Sequence, residues 1–143
     1  MNLLHQLICV SVLNLFDFNS LYTVACVPHF VLDCSEDILA IVPEVEILRL
    51  LHGVAKASDL FDESDIKVRI NPFKNYLVGN NKTAFMNVFA HIMQGRTTEQ
   101  KAKLSNAVVS TLCDMFPEVT NIAMNITDFE KATYCNKNMI VQE

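Results

Sequence analysis

The segment TAFMNVFAHIMQGRTTEQ, residues 83–100, contains the local signals that decide the fold of this chain. Residues 83–94 are rich in aromatic and β-branched side chains and predict a long strand. Gly95 then turns the chain. Thr97 and Gln100 fit a capping box, in which each of the two side chains bonds the backbone N–H of the other residue at the start of a helix. The segment therefore predicts a strand, a tight turn and a helix in direct succession.

The same succession occurs twice, so the chain is organised as two β-α-β units. Pro43 suits the first turn of the first helix, Pro72 closes the strand that follows it, and Pro117 stops the second helix. The predicted elements are a strand at 28–34, a helix at 43–57, a strand at 66–71, a strand at 83–94, a helix from 97 to Pro117, and a strand at 119–127. Four strands with two helices on one face make a two-layer α+β sandwich.

The face of the predicted sheet that the helices do not cover remains apolar. Phe85, Phe89 and Met93 are an even number of residues apart and therefore lie on one face of the strand at 83–94. A contiguous exposed apolar surface on a protein is usually a site of contact with a partner. The pattern thus favours an oligomer.

Composition narrows the function classes. The chain has 143 residues, enough for one domain, and 51% of them are hydrophobic, which excludes wholesale disorder. A net charge of −5 argues against a general nucleic-acid binder, and no glycine-rich phosphate loop is present. The five cysteines form no CxxC pair, so we expect reduced thiols in a cytoplasmic protein, with neither a disulfide framework nor a metal site.

Residues 1–27 differ from the rest of the chain. They contain one formal charge, Asp17, and no Lys or Arg. The apolar stretch at 7–13 is similar to a secretory core region, but the positive residues that precede such a region are absent. Polar residues from Asn14 onward interrupt it well short of the ~20 residues of a membrane span. We therefore expect no targeting segment and no membrane partner, and we assign the folded domain to residues 28–143.

The stretch PHFVLDCSEDI, residues 28–38, resembles the N-terminus of 5-carboxymethyl-2-hydroxymuconate isomerases, in the tautomerase superfamily. The resemblance continues at residues 66–69 and 94–99 and covers about residues 28–140. It implies a homotrimer of the double β-α-β fold and an isomerase that needs no metal or organic cofactor. It also implies a catalytic amino-terminal proline, here Pro28, and an arginine after the third strand, here Arg96, that contacts a small dicarboxylic dienol.

The resemblance further implies a second-strand arginine that binds substrate, and Lys67 fills that position in this chain. Lys67 retains the positive charge but lacks the two-pronged geometry of a guanidinium. Lys67 and Arg69 are two residues apart on a strand, so both point to the face opposite Ile66 and Val68. We expect both residues to bind substrate carboxylates, with Arg69 taking over part of the arginine's role. The alternative is that the two form only an exposed polar face of the strand. His29 and His91 lack the spacing of metal ligands and are expected to be structural or exposed.

The state of Pro28 decides between two functions. A free prolyl amine can accept and return a proton near pH 7. Because α-amino groups have pKa values of about 7.7–8.0, a fraction of the molecules carries the neutral amine at that pH. The nitrogen of an internal proline is an amide without basicity. We expect residues 1–27 to be a mis-assigned start, with Val27 in the place of a GTG initiation codon. The chain is then an isomerase of a 2-hydroxymuconate-type dicarboxylate in aromatic-compound catabolism. The alternative is a genuine extension that blocks Pro28 and leaves an inactive trimer acting as a binding or interaction module.

Overall fold

Two β-α-β units build the fold, as the sequence predicts. The computed structural model describes residues 27–140, so the predicted extension lies outside the described residues except for Val27. The elements in chain order are β1 (His29–Ser35), α1 (Ile38–Ile41), α2 (Glu44–Ala57), β2 (Lys67–Phe73), β3 (Phe85–Met93), α3 (Thr98–Met115) and β4 (Asn121–Phe129). The predicted α+β fold, with its four-stranded sheet, is confirmed, and the one-turn helix α1 adds to it.

The sheet has the strand order β2-β1-β3-β4. Each unit contributes a parallel pair, β1 with β2 and β3 with β4, and the antiparallel pairing of β1 with β3 joins the units. The first residues of β1 and β2 therefore lie at the same end of the sheet as the last residues of β3 and β4. This end carries Pro28 and the Gly95-Arg96 turn, and we call it the Pro28 end.

The core lies between one face of the sheet and the helices α2 and α3. Alternate residues of the central strands supply its sheet side, and residues at helical spacing supply the other side. Fully buried members are Phe30, Leu32, Cys34, Met86, Val88, Ala90 and Ile92 from the sheet, with Ile47, Leu51, Ala55, Leu104, Val108 and Leu112 from the helices. Within residues 27–140, no helix combines the length and the apolar character that crossing a membrane requires.

Local chemistry accounts for the element ends. The predicted capping box is present, since the Gln100 N–H donates to Thr97 Oγ1 at 3.1 Å and the Thr97 N–H donates to Gln100 Oε1 at 2.9 Å. Gly95 adopts a φ of +119°, which L side chains rarely reach. Pro72 does not end β2, which continues to Phe73. An edge strand tolerates proline, because the missing N–H can fall on the side without a neighbouring strand.

The sheet face away from the helices, which we call the open face, is partly apolar. Phe89 is half-buried on it, and Phe85 packs beside Phe73 and Tyr76, with ring centroids 6.4 and 5.1 Å away. Met93 differs from the expectation of a bare face, because only 3% of it is exposed. The uncovered apolar surface is therefore smaller than the sequence pattern predicts.

Cys34 is the fully buried member of the three cysteines in the described part of the chain; Cys113 and Cys135 are exposed. Burial, reinforced by nearby acidic residues with Asp33 foremost, raises the pKa of the Cys34 thiol to about 11. Only the thiolate reacts with disulfide reagents. At pH 8 we expect an aromatic disulfide to label Cys113 and Cys135 in the native protein and Cys34 only after unfolding, as followed by peptide mass mapping. Labelling of native Cys34 as fast as Cys113 would contradict this packing.

Candidate active site

Cationic and imidazole side chains form rows across the open face at the Pro28 end. The pairing of the strands places Lys67, His29, His91 and Thr127 opposite one another in successive strands. Arg69 lies two residues further along β2 and points to the same face. The predicted pair Lys67 and Arg69 is therefore exposed on one face, as their spacing indicates, while Val68 and Ile70 pack on the core.

Arg69 and His29 are in direct contact. Arg69 Nη1 lies 3.2 Å from His29 Nδ1, on the neighbouring strand. A guanidinium has donors only, so Nδ1 accepts the hydrogen bond and the proton of the neutral ring is on Nε2. Partial burial and the positive charges of Arg69 and Lys67 lower the pKa of His29 below its usual value of 6.5. His29 is therefore a neutral imidazole at pH 7.

A shallow pocket of about 290 Å³ lies over this contact and is lined by His29, Arg69, His91, Phe129 and Tyr134. His91 Nδ1 is 2.7 Å from the Thr127 hydroxyl, which holds the second imidazole in place. The rings of Phe129 and Tyr134 are 5.6 Å apart and form an apolar wall. None of the described residues that line the pocket carries a carboxylate. The pocket therefore suits an anion with a flat, conjugated body.

Lys67 and Pro28 meet through the backbone at the first rung of the β1–β2 pair. The Lys67 N–H donates to the Pro28 carbonyl at 3.1 Å, and the Lys67 ammonium donates to the Asp65 carbonyl at 3.3 Å. Pro28 itself is buried, whereas the Lys67 side chain is exposed. The predicted base and the predicted cation are thus neighbours at one end of the sheet.

Arg96 is at the Pro28 end as well, but its side chain turns towards the helix layer. Arg96 Nη2 donates to the Leu60 carbonyl at 2.7 Å, and the guanidinium carbon lies 5.4 Å from the centre of the Phe61 ring. Phe61 in turn meets Phe30 edge to face, with the ring centroids 5.9 Å apart. Arg96 therefore shares the end of the sheet with Lys67 and Arg69 without sharing their face. Its role as a carboxylate ligand stays a prediction.

Sequence reasoning missed the histidines and the aromatic wall. The sequence contains a signal for His29. Side chains alternate along β1, so His29 points away from the core residue Phe30 and towards the face that carries Lys67. The pairing register that brings these residues together is not encoded in the periodicity of one strand. Tyr134 follows a one-turn 3₁₀ helix, Lys131–Thr133, after β4. Irregular segments of this kind give no periodic pattern from which a pocket wall could be predicted.

Comparison with known proteins gives one family over most of the chain. The family model described as 5-carboxymethyl-2-hydroxymuconate isomerase matches residues 28–143. The match begins at Pro28, where the sequence resemblance begins. No curated protein matches the chain by sequence search.

Solved structures of this fold are numerous among the matches. A 5-carboxymethyl-2-hydroxymuconate isomerase from Deinococcus radiodurans R1 is 26% identical, with a TM-score of 0.67 over 79% of this chain and 90% of its own. A 5-carboxymethyl-2-hydroxymuconate delta-isomerase has a TM-score of 0.60 at 12% identity, over 77% of this chain and 87% of its own. A fused 4-OT described as an asymmetric trimer has a TM-score of 0.66 at 12% identity, over 76% and 92%.

The last two likenesses, at such low identity, concern the fold alone. The family match and the more similar Deinococcus structure confirm the resemblance that the sequence carries at residues 28–38, 66–69 and 94–99. They also support an isomerase or tautomerase activity. The chain belongs to the 5-carboxymethyl-2-hydroxymuconate isomerase family.

Proposed function

We propose that the protein is an isomerase that shifts a double bond in a 2-hydroxymuconate-type dicarboxylic dienol, with the amine of Pro28 as the proton carrier. The observation that carries the proposal is the position of Pro28: the family match starts on it, and Lys67 and Arg96 lie at the same end of the sheet. The proposal requires Pro28 to be the mature N-terminus, with residues 1–27 absent from the working protein. We further propose that it acts in the cytoplasm, in the breakdown of aromatic compounds.

Each residue has a defined part in the proposed reaction. The neutral Pro28 nitrogen takes the proton of the enol hydroxyl, and the O–H electron pair becomes the π bond of the new carbonyl. The conjugated double bond shifts, and the resulting ammonium returns the proton to a carbon atom of the substrate. No electrons or atoms are gained or lost, so the step calls for no redox partner.

The cations hold the two carboxylates and stabilise negative charge as it moves along the dienol. Lys67 and Arg69 are assigned to one carboxylate, because both are exposed on the open face, where Arg69 lines the pocket. Arg96 is assigned to the reacting end. Its present partner, the neutral Leu60 carbonyl, is a weaker acceptor than a carboxylate. Substrate is therefore expected to compete for the guanidinium.

Substitution of the two strand cations tests the substrate-binding assignment. We expect Lys67→Ala and Arg69→Ala each to raise KM for a 2-hydroxymuconate-type dicarboxylate by about fivefold or more, because each removes a charged hydrogen bond at a partly solvated site. Arg49→Ala is the matched control, since Arg49 is an exposed cation on α2 that pairs with Glu46, at 3.4 Å. Steady-state kinetics of the three variants decide the matter. Unchanged KM in both strand variants would reject the site.

We also propose a homotrimer that covers the part of the open face around Phe89 and Asn87 and leaves the pocket at the Pro28 end accessible. Phe89 remains half-buried there, and Asn87 Oδ1, on the same face, is buried but accepts no hydrogen bond from any described residue. Such an acceptor is costly unless a neighbour supplies a donor. A structurally similar fused 4-OT is described as a trimer. Light scattering on dilute purified protein is expected to give a mass near three protomers, and a stable monomer would contradict the proposal.

A further inference from the structure

His29 has a contact that the proposed reaction does not use. It follows the proposed base directly in the chain, yet its side chain is turned to the open face, where the parity of β1 places it. There its Nδ1 lies 3.2 Å from Arg69 Nη1. The contact crosses from β1 to β2 and joins residues 40 positions apart in sequence.

Arg69 donates the hydrogen bond in this contact, and His29 accepts it. Because Arg69 is only a donor, it constrains His29 to the neutral tautomer with the proton on Nε2. One of the five guanidinium N–H groups is taken, and the others donate to no group among residues 27–140, so they are available at the pocket that Phe129 and Tyr134 also line. Arg69 is exposed. Without this acceptor its long side chain would sample many rotamers, and binding an anion would require them to be ordered.

We propose that His29 is a positioning residue, whose neutral Nδ1 holds the Arg69 guanidinium at the open-face pocket so that Arg69 presents its remaining donors to one carboxylate of a dicarboxylate ligand. The inference rests on the proposed function for the identity of the ligand class. It does not depend on Pro28, because binding of a carboxylate at Arg69 needs no proton transfer.

The surroundings of His29 maintain the neutral state that this role needs. The titratable groups that face it are Lys67 and Arg69 from β2, His91 from β3 and Tyr134 from the segment after β4. Burial and the charges of Arg69, Lys67 and His91 all lower the pKa of His29. At pH 7.5 the imidazole therefore stays an acceptor.

The first test measures the contact itself, by nitrogen NMR of the histidine rings in the full chain. We expect the His29 signals to show a bare Nδ1 and a protonated Nε2. Arg69→Ala should raise the pKa of His29, because it removes both the hydrogen bond and a neighbouring positive charge. His52, on α2, is the internal control, and Arg69→Ala should leave its ring signals where they are. A protonated Nδ1, or a His29 titration that Arg69→Ala leaves unchanged, would overturn the inference.

The second test measures binding of adipate, an unreactive six-carbon dicarboxylate, by calorimetry at pH 7.5. His29→Ala should weaken binding by about fivefold, the effect of losing one positioning hydrogen bond. His29→Asn, which keeps an acceptor close to the place of Nδ1, should bind within about twofold of the original chain. His52→Ala should change nothing.

A double-mutant cycle separates positioning from independent binding. If His29 acts through Arg69, the variant that combines His29→Ala with Arg69→Ala binds adipate no more weakly than Arg69→Ala alone. Fully additive losses, an unaffected His29→Ala variant, or failure of the unsubstituted chain to bind adipate would each contradict the inference. If these binding effects appear while no isomerase activity is found with a free Pro28, the positioning role stands and the proposed reaction fails.

Discussion

A chain that starts at Pro28 is expected to isomerise a 2-hydroxymuconate-type dicarboxylate at least about 100-fold faster than the same chain with that nitrogen acetylated. General acid–base groups contribute on the order of 10² to 10⁴ to rate. Acylation delocalises the nitrogen lone pair into an amide, so the nitrogen can no longer accept the proton. The full chain from Met1 should be as slow as the acetylated form, because its Pro28 nitrogen is a backbone amide.

The comparison needs a control for folding and for access to the site. Circular dichroism should give the same spectrum for the free and acetylated chains, since the backbone hydrogen bond from the Lys67 N–H to the Pro28 carbonyl is available in both. Adipate binding should also survive acetylation, because Arg69 and Lys67 are untouched. Equal turnover by an unprocessed Met1 chain would exclude proline-amine catalysis. Absence of turnover in every form, including the chain that starts at Pro28, would favour the alternative of an inactive trimer.

Arg96→Ala is expected to lower turnover of the same substrate by at least about tenfold. A hydrogen bond to a charged group is worth ~1.5–3 kcal/mol, and losing it in the transition state appears in kcat. The structure adds a second effect, because Arg96 bonds the Leu60 carbonyl and stacks over Phe61. Urea unfolding should show the variant less stable by about 1 kcal/mol.

Two further variants separate the catalytic part of Arg96 from the structural part. Arg96→Lys keeps the charge but not the fork, so it should recover some of the lost turnover. Arg49→Ala, in an exposed ion pair on α2, should leave both turnover and stability unchanged. An Arg96→Ala enzyme that is less stable but turns over normally would show that Arg96 serves only the packing around Phe61.

The fold was predictable because its local signals agree with one another. The capping box at Thr97 and the turn at Gly95 define the start of α3, and strict alternation defines β2. The predicted bounds differ from the observed ones by two residues at each end of β4, and by one residue at the start and two at the end of β2. At β2 the error came from treating Pro72 as a stop. A proline need not end a strand when the side of its missing N–H has no neighbouring strand. The sequence of one strand does not show where its neighbours lie.

The site was predictable only in part. The spacing of Lys67 and Arg69 was enough to place them on one face, because parity within a strand is local. The contact of Arg69 with His29 depends on the pairing of β1 with β2, which links residues far apart in sequence. The contact of Arg96 with the Leu60 carbonyl depends on the path of the connection between α2 and β2. Neither follows from residue spacing.

Determination of the N-terminus in the native protein tests whether the Pro28 amine is the catalyst. Protein purified from its natural source should be analysed by intact mass and N-terminal sequencing and assayed in the same preparation. We expect a chain that begins at Pro28 and isomerises the dicarboxylate. An active native protein that begins at Met1 and retains residues 1–27 would contradict it.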